Sequence, residues 1–504
     1  MTTITGLSRT QRVLRNAGAV LLQFGVSTAV SFFAVPYVLR ALGRENYGQW
    51  VLLTQAVNYL AMIDFGNPSV AKIALAGHAE RGESERFSVL LAEAGRSILI
   101  TTPVTLIGGV LISCVMCANG SRANGCAELA IAVAILTGAY CITRFMAIPR
   151  FALFGANIEF RSALPRTVAL ASQGVLDIVA ACLGSGLIGF ALNRLISQLL
   201  ALMELHRAAK RYIPFYRFAL LGKSRGISDL LAQNVPCVVV QWGLTLTEGS
   251  DILLLGLCGA TDYIAPYAIT CTVPRLLFTM ATPILNSAHS SITSLYATSN
   301  YAATERARLV QEVGLLATLS IGGTCYLVFG KSFVELWVGP GLFAGLLVAM
   351  LGLGSQYVIA LTRNNAAMLA STMDYHYGAR ALTIGTVASL GIAACVTHAC
   401  GPAAGLASLL MLKFCTNQWL SGRICKTLGC SYFEYLQQLA RPVAFAISSV
   451  AIGALLSNHF SIRAWLQVLA LGITLAAALL FTFLGTALNR DQRRVLWDRL
   501  SKVL

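Results

Sequence analysis

Residues 464–487 have the sequence Ala464-Trp-Leu-Gln-Val-Leu-Ala-Leu-Gly-Ile-Thr-Leu-Ala-Ala-Ala-Leu-Leu-Phe-Thr-Phe-Leu-Gly-Thr-Ala487 and contain no charged side chain. A helix needs about 20 mostly apolar residues to cross the hydrocarbon layer of a bilayer, so this segment predicts a membrane span. Similar segments recur along the whole chain of 504 residues, of which 56% are apolar and only 12% are charged. So few charges cannot cover the surface of a soluble protein of this size. The composition therefore excludes a soluble enzyme, a disordered chain and a secreted disulfide scaffold.

The chain is predicted to be an all-α polytopic membrane protein of about 14 transmembrane helices. Its connections are short, so no sizeable extramembrane domain is expected. The approximate limits of the predicted spans are 17–39, 47–75, 89–117, 127–148, 165–183, 187–206, 228–257, 263–293, 309–329, 342–362, 379–398, 402–422, 442–457 and 464–487.

The distribution of Lys and Arg predicts the orientation of these spans. With the N-terminus in the cytoplasm, 25 of the 37 basic residues fall in cytoplasmic segments and five in segments on the opposite side. Cytoplasmic loops are enriched in Lys and Arg, so both termini are predicted to be cytoplasmic. This bias also explains the net charge of +16 without a nucleic-acid partner. The other seven basic residues lie within spans: Lys72, Arg96, Arg144, Arg166, Arg194, Arg275 and Lys413.

Two short motifs indicate an internal repeat. Gly43-Arg-Glu-Asn-Tyr47 and Gly259-Ala-Thr-Asp-Tyr263 both lie at the predicted outer turn of a helical hairpin, six spans apart. Six is an even number, so both halves have the same orientation, as in transporters built from parallel repeats. We predict two six-helix lobes related by this repeat, at residues 1–208 and 209–424, and a terminal helix pair with a basic tail at 425–504.

Two of the basic residues within spans, Arg275 and Lys413, are predicted to lie near the middle of the membrane. An ionisable group at that depth costs about 2.5–3.5 kcal/mol on insertion scales, so it usually faces protein or water. Glu248 is the expected neighbour of Arg275 across the hairpin, whereas span 11 offers Lys413 no acid. We favour a cavity that accepts an anion; the alternative is a static network of ion pairs.

The acidic residues within spans have two candidate roles. Asp177 and Arg194 are equidistant from a hairpin turn and are predicted to form a structural ion pair, with a substrate contact of Arg194 as the alternative. Asp64, Glu248 and Asp251 are candidates for binding a coupling proton or sodium ion. Asp64 could equally be a structural group at a helix break.

The 14 cysteines lie mostly in apolar segments, where Cys behaves as a small apolar residue. Cys114-Val-Met-Cys117, with Cys126 nearby, is a C-x-x-C at the end of a span. No His and no second Cys pair accompanies it, so neither a redox site nor a metal site is expected.

The first hairpin carries a family resemblance. Leu39-Arg40-Ala-Leu-Gly43-Arg-Glu45-Asn-Tyr47-Gly48-Gln-Trp50, followed by Asp64-Phe-Gly66, resembles the first hairpin of bacterial polysaccharide flippases of the Wzx type. These belong to the multidrug/oligosaccharidyl-lipid/polysaccharide (MOP) exporter superfamily. In the second half, residues 259–267 and Phe333-Val-Glu-Leu-Trp337-Val-Gly339 resemble the corresponding segments of that family.

The resemblance implies two lobes in a V shape around a cationic central cavity, with the terminal helix pair beside a portal open to lipid. It also implies the substrate, an undecaprenyl-diphosphate-linked oligosaccharide moved from the cytoplasmic to the periplasmic leaflet of the inner membrane. A polysaccharide polymerase and a co-polymerase are candidate protein partners. No cofactor is implied, although a proton or sodium gradient could drive transport.

We therefore expect a transporter and not an enzyme. Arg275 and Lys413 are the first candidates for the diphosphate, and Arg40, Arg144 and Arg194 are further basic candidates. Candidate sugar contacts, for which helix packing is the alternative, are Tyr47, Trp50, Tyr59, Gln241 and Trp242. The competing functions are an ion-coupled drug or cation antiporter and a membrane-embedded glycan polymerase or ligase.

Overall fold

The computed structural model describes residues 9–64, 75, 83–119, 123–156, 158, 160–213, 216, 235–286, 292–293, 295–296, 298–372, 374–457, 459, 462 and 464–488. Within these ranges the regular structure is helical and no strand occurs, which confirms the predicted all-α class. The contacts divide the chain into two compact units, Met1–Gln241 and Trp242–Leu504. The sequence instead suggested a lobe boundary at 208/209 and a separate terminal segment.

The first unit contains a 3₁₀ turn (Tyr59–Asp64) and six complete helices. These are α1 (Arg9–Asn58), α2 (Ser84–Asn119), α3 (Ala123–Phe145), α4 (Ala147–Gly155), α5 (Phe160–Leu183) and α6 (Gly186–Tyr212). Helix α7 (Val235–Leu257) begins in this unit and continues into the second.

The second unit contains the other nine helices of the described chain. They are α8 (Thr261–Thr270), α9 (Thr272–Asn286), α10 (Tyr301–Thr318), α11 (Thr324–Val338), α12 (Leu346–Ser371), α13 (Tyr375–Cys400), α14 (Pro402–Leu428), α15 (Tyr432–Leu456) and α16 (Trp465–Thr482).

Eleven helical stretches of the described residues are long and apolar enough to cross a membrane, or twelve when the bent pair α8–α9 counts as one span. Two more of the predicted spans lie in α1 and α14. Helix α1 contains two of the predicted spans, because the chain turns at Gly43 (φ 74°). Helix α14 is less apolar because it carries Lys413, Asn417 and Gln418. The protein is therefore a multi-pass membrane protein, and the prediction of about 14 helices is consistent with the structure.

The two predicted outer turns depend on glycine. Gly43 has a φ of 74° and Gly259 has a φ of 72°, a left-handed conformation that side chains with a Cβ rarely adopt. Each glycine ends the first helix of a hairpin, so the two motifs found in the sequence have the same local geometry.

Two helices extend further than predicted and take up basic residues that were assigned to cytoplasmic loops. Helix α10 continues through a π-helical turn, Leu319–Gly323, into α11, so Arg308 lies inside a helical stretch and is fully buried. Helix α12 continues to Ser371 and includes Arg363. Both arginines therefore lie in helices and not in loops, because polar turns at either end of a helix lower the hydropathy although the helix continues. Their position on the cytoplasmic side stays a prediction.

Candidate functional site

The second unit holds a buried ion pair between α14 and α7. Lys413 Nζ donates to Asp251 Oδ1 at 2.6 Å and to Ser355 Oγ of α12 at 3.1 Å. The other carboxylate oxygen of Asp251 accepts hydrogen bonds from Tyr267 of α8 at 2.6 Å and from Ser355 at 2.9 Å. The side chains of Lys413 and Asp251 are 3% and 7% exposed. Four helices therefore converge on one carboxylate.

This arrangement corrects one expectation. The sequence indicated that Lys413 has no acid partner, because only the neighbouring span was considered. Asp251 comes from a helix 162 residues away along the chain. The pair is neutral as a whole, and two hydroxyl donors complete the hydrogen bonding of the carboxylate. A buried ion pair is stable only with such additional hydrogen bonds, because both ions have lost their hydration.

Polar side chains surround the lysine end of this pair. A small cavity of about 10 Å³, room for roughly one water, lies beside Lys413. On one side of it Thr247 of α7 and Thr386 of α13 share a hydrogen bond of 3.0 Å. The cavity is lined by Thr247, Ser250, Thr362, Thr386, Ser389, Leu409, Lys413 and Thr416.

Arg275 lies on α9, just beyond the 48° bend between α8 and α9. Its side chain is exposed, and within the described residues its guanidinium has no ion pair. The expected partner, Glu248, instead accepts a hydrogen bond of 2.6 Å from Arg363 Nε of α12. The predicted Arg275–Glu248 contact was wrong, because Glu248 faces α12. Arg275 is left as a cation without a carboxylate partner in the described part of the chain.

The basic candidates of the first unit lie in different surroundings. Arg40 is exposed on α1, near the Gly43 turn. Arg144 is buried at the end of α3 and donates to Thr105 at 2.5 Å and also to Thr101 of α2. Arg144 is thus held by hydroxyl groups and is 4% exposed.

Asp177 of α5 and Arg194 of α6 do not form the predicted direct ion pair. The two charges interact electrostatically, but among the described residues no salt bridge joins them. Asn193 contacts Asp177 instead: its Nδ2 donates to Leu176 O at 2.8 Å and to Asp177 Oδ1 at 3.4 Å. Residues equidistant from a hairpin turn lie at the same depth, but their side chains need not point towards each other. Here the residue of α6 that points towards Asp177 is Asn193.

The aromatic and amide candidates are distributed over both units. Tyr47 is buried, and the Trp50 ring packs 5.9 Å from the ring of Phe190, which is the packing role given as the alternative. Gln241 is exposed and Trp242 is half-buried. Of the remaining candidates, Tyr59 is half-buried and begins the 3₁₀ turn that Asp64 ends, while the Asp64 side chain lies outside the described residues, as does Lys72.

A second buried ion pair escaped the sequence analysis. Arg308 Nε donates to Glu312 Oε1 at 3.1 Å, one turn along α10, with 0% and 3% of the two side chains exposed. The Tyr435 hydroxyl of α15 donates to the same carboxylate, and the Arg308 guanidinium lies 4.2 Å above the Tyr435 ring. Arg308 Nη1 also contacts Cys425 Sγ of α14 at 3.4 Å. The i, i+4 spacing of Arg308 and Glu312 was a usable signal.

Glu312 also borders a cavity of about 460 Å³ between α10, α12, α14 and α15. Its walls are mostly leucine, valine, alanine and isoleucine, with a polar side formed by Glu312, Asn417, Ser421 and Tyr435. No group of three or more His, Cys, Asp or Glu side chains suited to a metal occurs among the residues that could be searched.

Cys117 of α2 is bonded to Cys126 of α3, with their Cα atoms 5.3 Å apart. The disulfide joins the end of α2 to the beginning of α3. The C-x-x-C spacing points to Cys114 and Cys117 and not to this pair, because the two bonded residues approach only when the helices pack.

No family model matches the chain. The chain is similar to "Uncharacterized membrane protein EpsK" of Bacillus subtilis (strain 168), with 23% identity over 514 residues, covering 97% of this chain and 98% of that protein.

Solved transporters have the same fold. An inward-facing multidrug resistance MATE family transporter of the MOP superfamily matches with a TM-score of 0.58 and 15% identity, covering 81% of this chain and 98% of that chain. A MOP superfamily transporter from Pyrococcus furiosus Vc1 (DSM3638), described by a binding pocket of reverse polarity, matches with a TM-score of 0.56 and 15% identity, covering 84% and 97%. The chain therefore shares the fold of these solved transporters.

Proposed function

We propose that this protein is a flippase that moves an undecaprenyl-diphosphate-linked glycan repeat unit from the cytoplasmic to the periplasmic leaflet of a bacterial inner membrane. Alternating access of the two halves would expose the substrate first to one side and then to the other. The transporter fold and the motifs of the first hairpin support this proposal. The exported glycan would serve the assembly of a cell-surface or secreted polysaccharide.

The observation that carries the proposal is that Arg275 has no carboxylate partner within the part of the chain that the structure describes. Lys413 is neutralised by Asp251, and Arg363 is paired with Glu248. Arg275 lies on α9 about 16 Å from the helix end at Asn286, at 1.5 Å per residue. A guanidinium at that position needs water or an anion, because an unpaired charge is costly inside a membrane.

A diphosphate is a suitable anion for this group. A charged headgroup cannot enter hydrocarbon unaided, because burying an unpaired charge costs many kcal/mol. The planar guanidinium can donate two parallel hydrogen bonds to phosphate oxygens and so replace part of the lost hydration. The polyprenyl tail needs no such help and can stay in the lipid. Arg40, Arg144 and Arg194 in the first unit, and the aromatic and amide side chains named above, are secondary candidates.

Transport would also need an energy source and proteins that use the flipped unit. A proton or sodium gradient would drive transport, and a polysaccharide polymerase and co-polymerase would take up the flipped unit. Both termini are proposed to be cytoplasmic, in line with the distribution of Lys and Arg. Neither a metal nor an organic cofactor takes part in this proposal.

Replacement of Arg275 tests the proposal. In cells that depend on this protein for polymer export, Arg275→Ala should reduce exported glycan by roughly tenfold or more, since a charge-assisted contact is worth at least about 1.5 kcal/mol. Arg275→Lys should recover part of the export. Arg306→Ala, which removes an exposed arginine of α10 in the same unit, is the matched control and should leave export unchanged. Normal export by Arg275→Ala, at equal protein level in the membrane, would remove the basis of the proposal.

The second candidate is a drug or cation antiporter, which the multidrug-transporter fold and the neutralised Lys413 favour. It predicts that membrane vesicles containing the protein extrude a lipophilic cation such as ethidium against a pH gradient. It also predicts that Asp251→Asn abolishes the extrusion. A glycan-independent efflux of this kind would replace the flippase proposal.

A further inference from the structure

One face of α14 carries a polar residue every fourth position, and all of them are buried. The residues are Lys413, Asn417, Ser421 and Cys425, each no more than 4% exposed. With 1.5 Å per residue they extend about 18 Å along the helix. A buried helix face that is polar throughout is unusual in a membrane protein, because each such group must find a partner there.

Helix α12 presents matching polar residues to this face. Ser355 contacts Lys413 at 3.1 Å. Asn365 Nδ2 donates to both Asn417 Oδ1 and Ser421 Oγ, each at 2.9 Å. Thr362 lies between these two contacts in sequence and lines the small cavity beside Lys413. We call the set Ser355, Thr362, Asn365, Lys413, Asn417, Ser421 and Cys425 the polar seam.

The polar seam joins the two buried ion pairs of this unit. At one end Lys413 contacts Asp251. At the other end Cys425 Sγ lies 3.4 Å from Arg308, which is paired with Glu312. A carboxylate therefore lies at each end of this row of buried polar side chains. Glu312, Asn417 and Ser421 line the cavity of about 460 Å³, and Thr362 and Lys413 line the small cavity.

Several polar atoms of the polar seam have no hydrogen-bond partner in the described protein. Within the polar seam, Thr362 Oγ1, Asn365 Oδ1 and Asn417 Nδ2 are buried and have no partner among the described residues, and the same holds for Arg308 Nη2 next to Cys425. Asn365 and Asn417 are 0% exposed. Leaving such a group unsatisfied costs about 1–3 kcal/mol. Buried waters usually satisfy groups of this kind, each with about three hydrogen bonds.

We propose that the polar seam binds a file of water molecules and carries the coupling proton between Glu312 and Asp251. This inference deepens the proposed function, since it names the ion that drives the flippase. Each water accepts a proton from one neighbour and passes another on, so no net chemistry occurs along the file. A proton that arrives on an Asp251 carboxylate oxygen neutralises Asp251. Lys413 is then left without its carboxylate partner.

Each of the two carboxylates lies among hydrogen-bond donors and one cation. Asp251 faces Lys413 of α14, Tyr267 of α8, Ser355 of α12 and the Cys271 thiol at the bend before α9. Lys413 is the one positive charge in direct contact with it in the described structure.

Glu312 faces Arg308 of its own helix, Tyr357 of α12, Cys425 of α14, and Tyr432 and Tyr435 of α15. Arg308 is the positive charge in contact with Glu312. Each carboxylate thus has one cation to stabilise it when ionised, and tyrosine hydroxyls to donate to it.

Radiolytic hydroxyl labelling of the purified full-length protein tests the hydration directly, because side chains next to buried water are oxidised although bulk solvent does not reach them. Cys425 should be labelled several times faster than Cys141, a buried cysteine of α3 away from the polar seam. In the variant Asn365→Leu/Asn417→Leu, labelling of Cys425 should fall to the rate of Cys141. Equal labelling of the two cysteines in the unaltered protein overturns the water file.

Proton movement is measured in vesicles of phosphatidylethanolamine and phosphatidylglycerol that enclose a pH-sensitive dye and contain undecaprenyl diphosphate. A potassium diffusion potential should drive proton uptake through the unaltered protein. The variants Asn365→Leu/Asn417→Leu and Asp251→Asn should slow it by roughly tenfold. Asn417→Ser, which keeps a polar group and leaves room for water, should retain it. Asn58→Leu, the same change at an exposed position of α1, is the control.

The outcomes separate this inference from the proposed function. Proton uptake that is absent in the unaltered protein, or unchanged in the leucine double variant, overturns the proton path. Such a result would leave the glycan export test with Arg275 unaffected. Conversely, fast labelling of Cys425 together with proton uptake supports the proton path, even if glycan export does not depend on Arg275.

Discussion

The buried pair between Lys413 and Asp251 makes a quantitative prediction. Lys413→Met removes the cation but keeps most of the side-chain volume, so Asp251 stays buried with only Tyr267 and Ser355 as donors. Removing one partner of a buried ion pair costs about 3–5 kcal/mol. A cost of that size lowers the ratio of folded to unfolded protein by roughly a hundredfold to a few thousandfold. Asp251→Asn should cost a similar amount, because it strands the lysine.

The double variant Asp251→Asn/Lys413→Met should recover much of the loss, since no unpaired charge remains. The expected coupling energy between the two sites is about 2 kcal/mol or more. The assay is equilibrium unfolding in mixed detergent micelles, followed by tryptophan fluorescence. Arg207→Met is the control, because the Arg207–Glu204 pair is 72% and 45% exposed. An exposed pair of this kind is worth less than about 1 kcal/mol.

Two results would refute the reasoning. The first is equal stability of Lys413→Met and Arg207→Met, seen as unfolding midpoints at the same detergent composition. It would mean that Lys413 is not buried against a carboxylate. Alternatively, the losses of the two single variants could simply add in the double variant. Additivity would mean that the two side chains do not interact.

Two other features of the fold lead to direct tests. Gly352→Ala should destabilise the protein by about 1–3 kcal/mol in the same unfolding assay, because an added Cβ would clash with Cys271 Sγ. Adding Cys271→Ala to this variant should restore most of the lost stability. If stability is not restored, Gly352 and Cys271 do not approach closely. The disulfide between Cys117 and Cys126 should leave two thiols unavailable to a maleimide-polyethylene glycol tag in denatured, unreduced protein, and Cys126→Ser should free Cys117 and cost about 2–3 kcal/mol. Full tagging without reductant would exclude the disulfide.

Hydropathy and local motifs were enough to predict the all-α membrane class and the outer turns. Runs such as 464–487 predict spans because membrane insertion depends on hydropathy averaged along one helix, which is a local property. The turns at Gly43 and Gly259 were also accessible, since a glycine between two apolar runs is a local signal. Asp251 and Lys413 were singled out individually because a charge within a span is costly wherever its partner lies.

Which of those charges pair with one another became visible in the packed helices. The Lys413 partner comes from α7, and the expected Arg275 partner, Glu248, turned out to face Arg363 on α12. Depth along a helix can be counted from a sequence, but which face of one helix meets which face of another depends on how many helices pack at once. The two ion pairs and the polar row between them therefore exist only where α7, α10, α12 and α14 converge, and no single segment of the chain records that convergence.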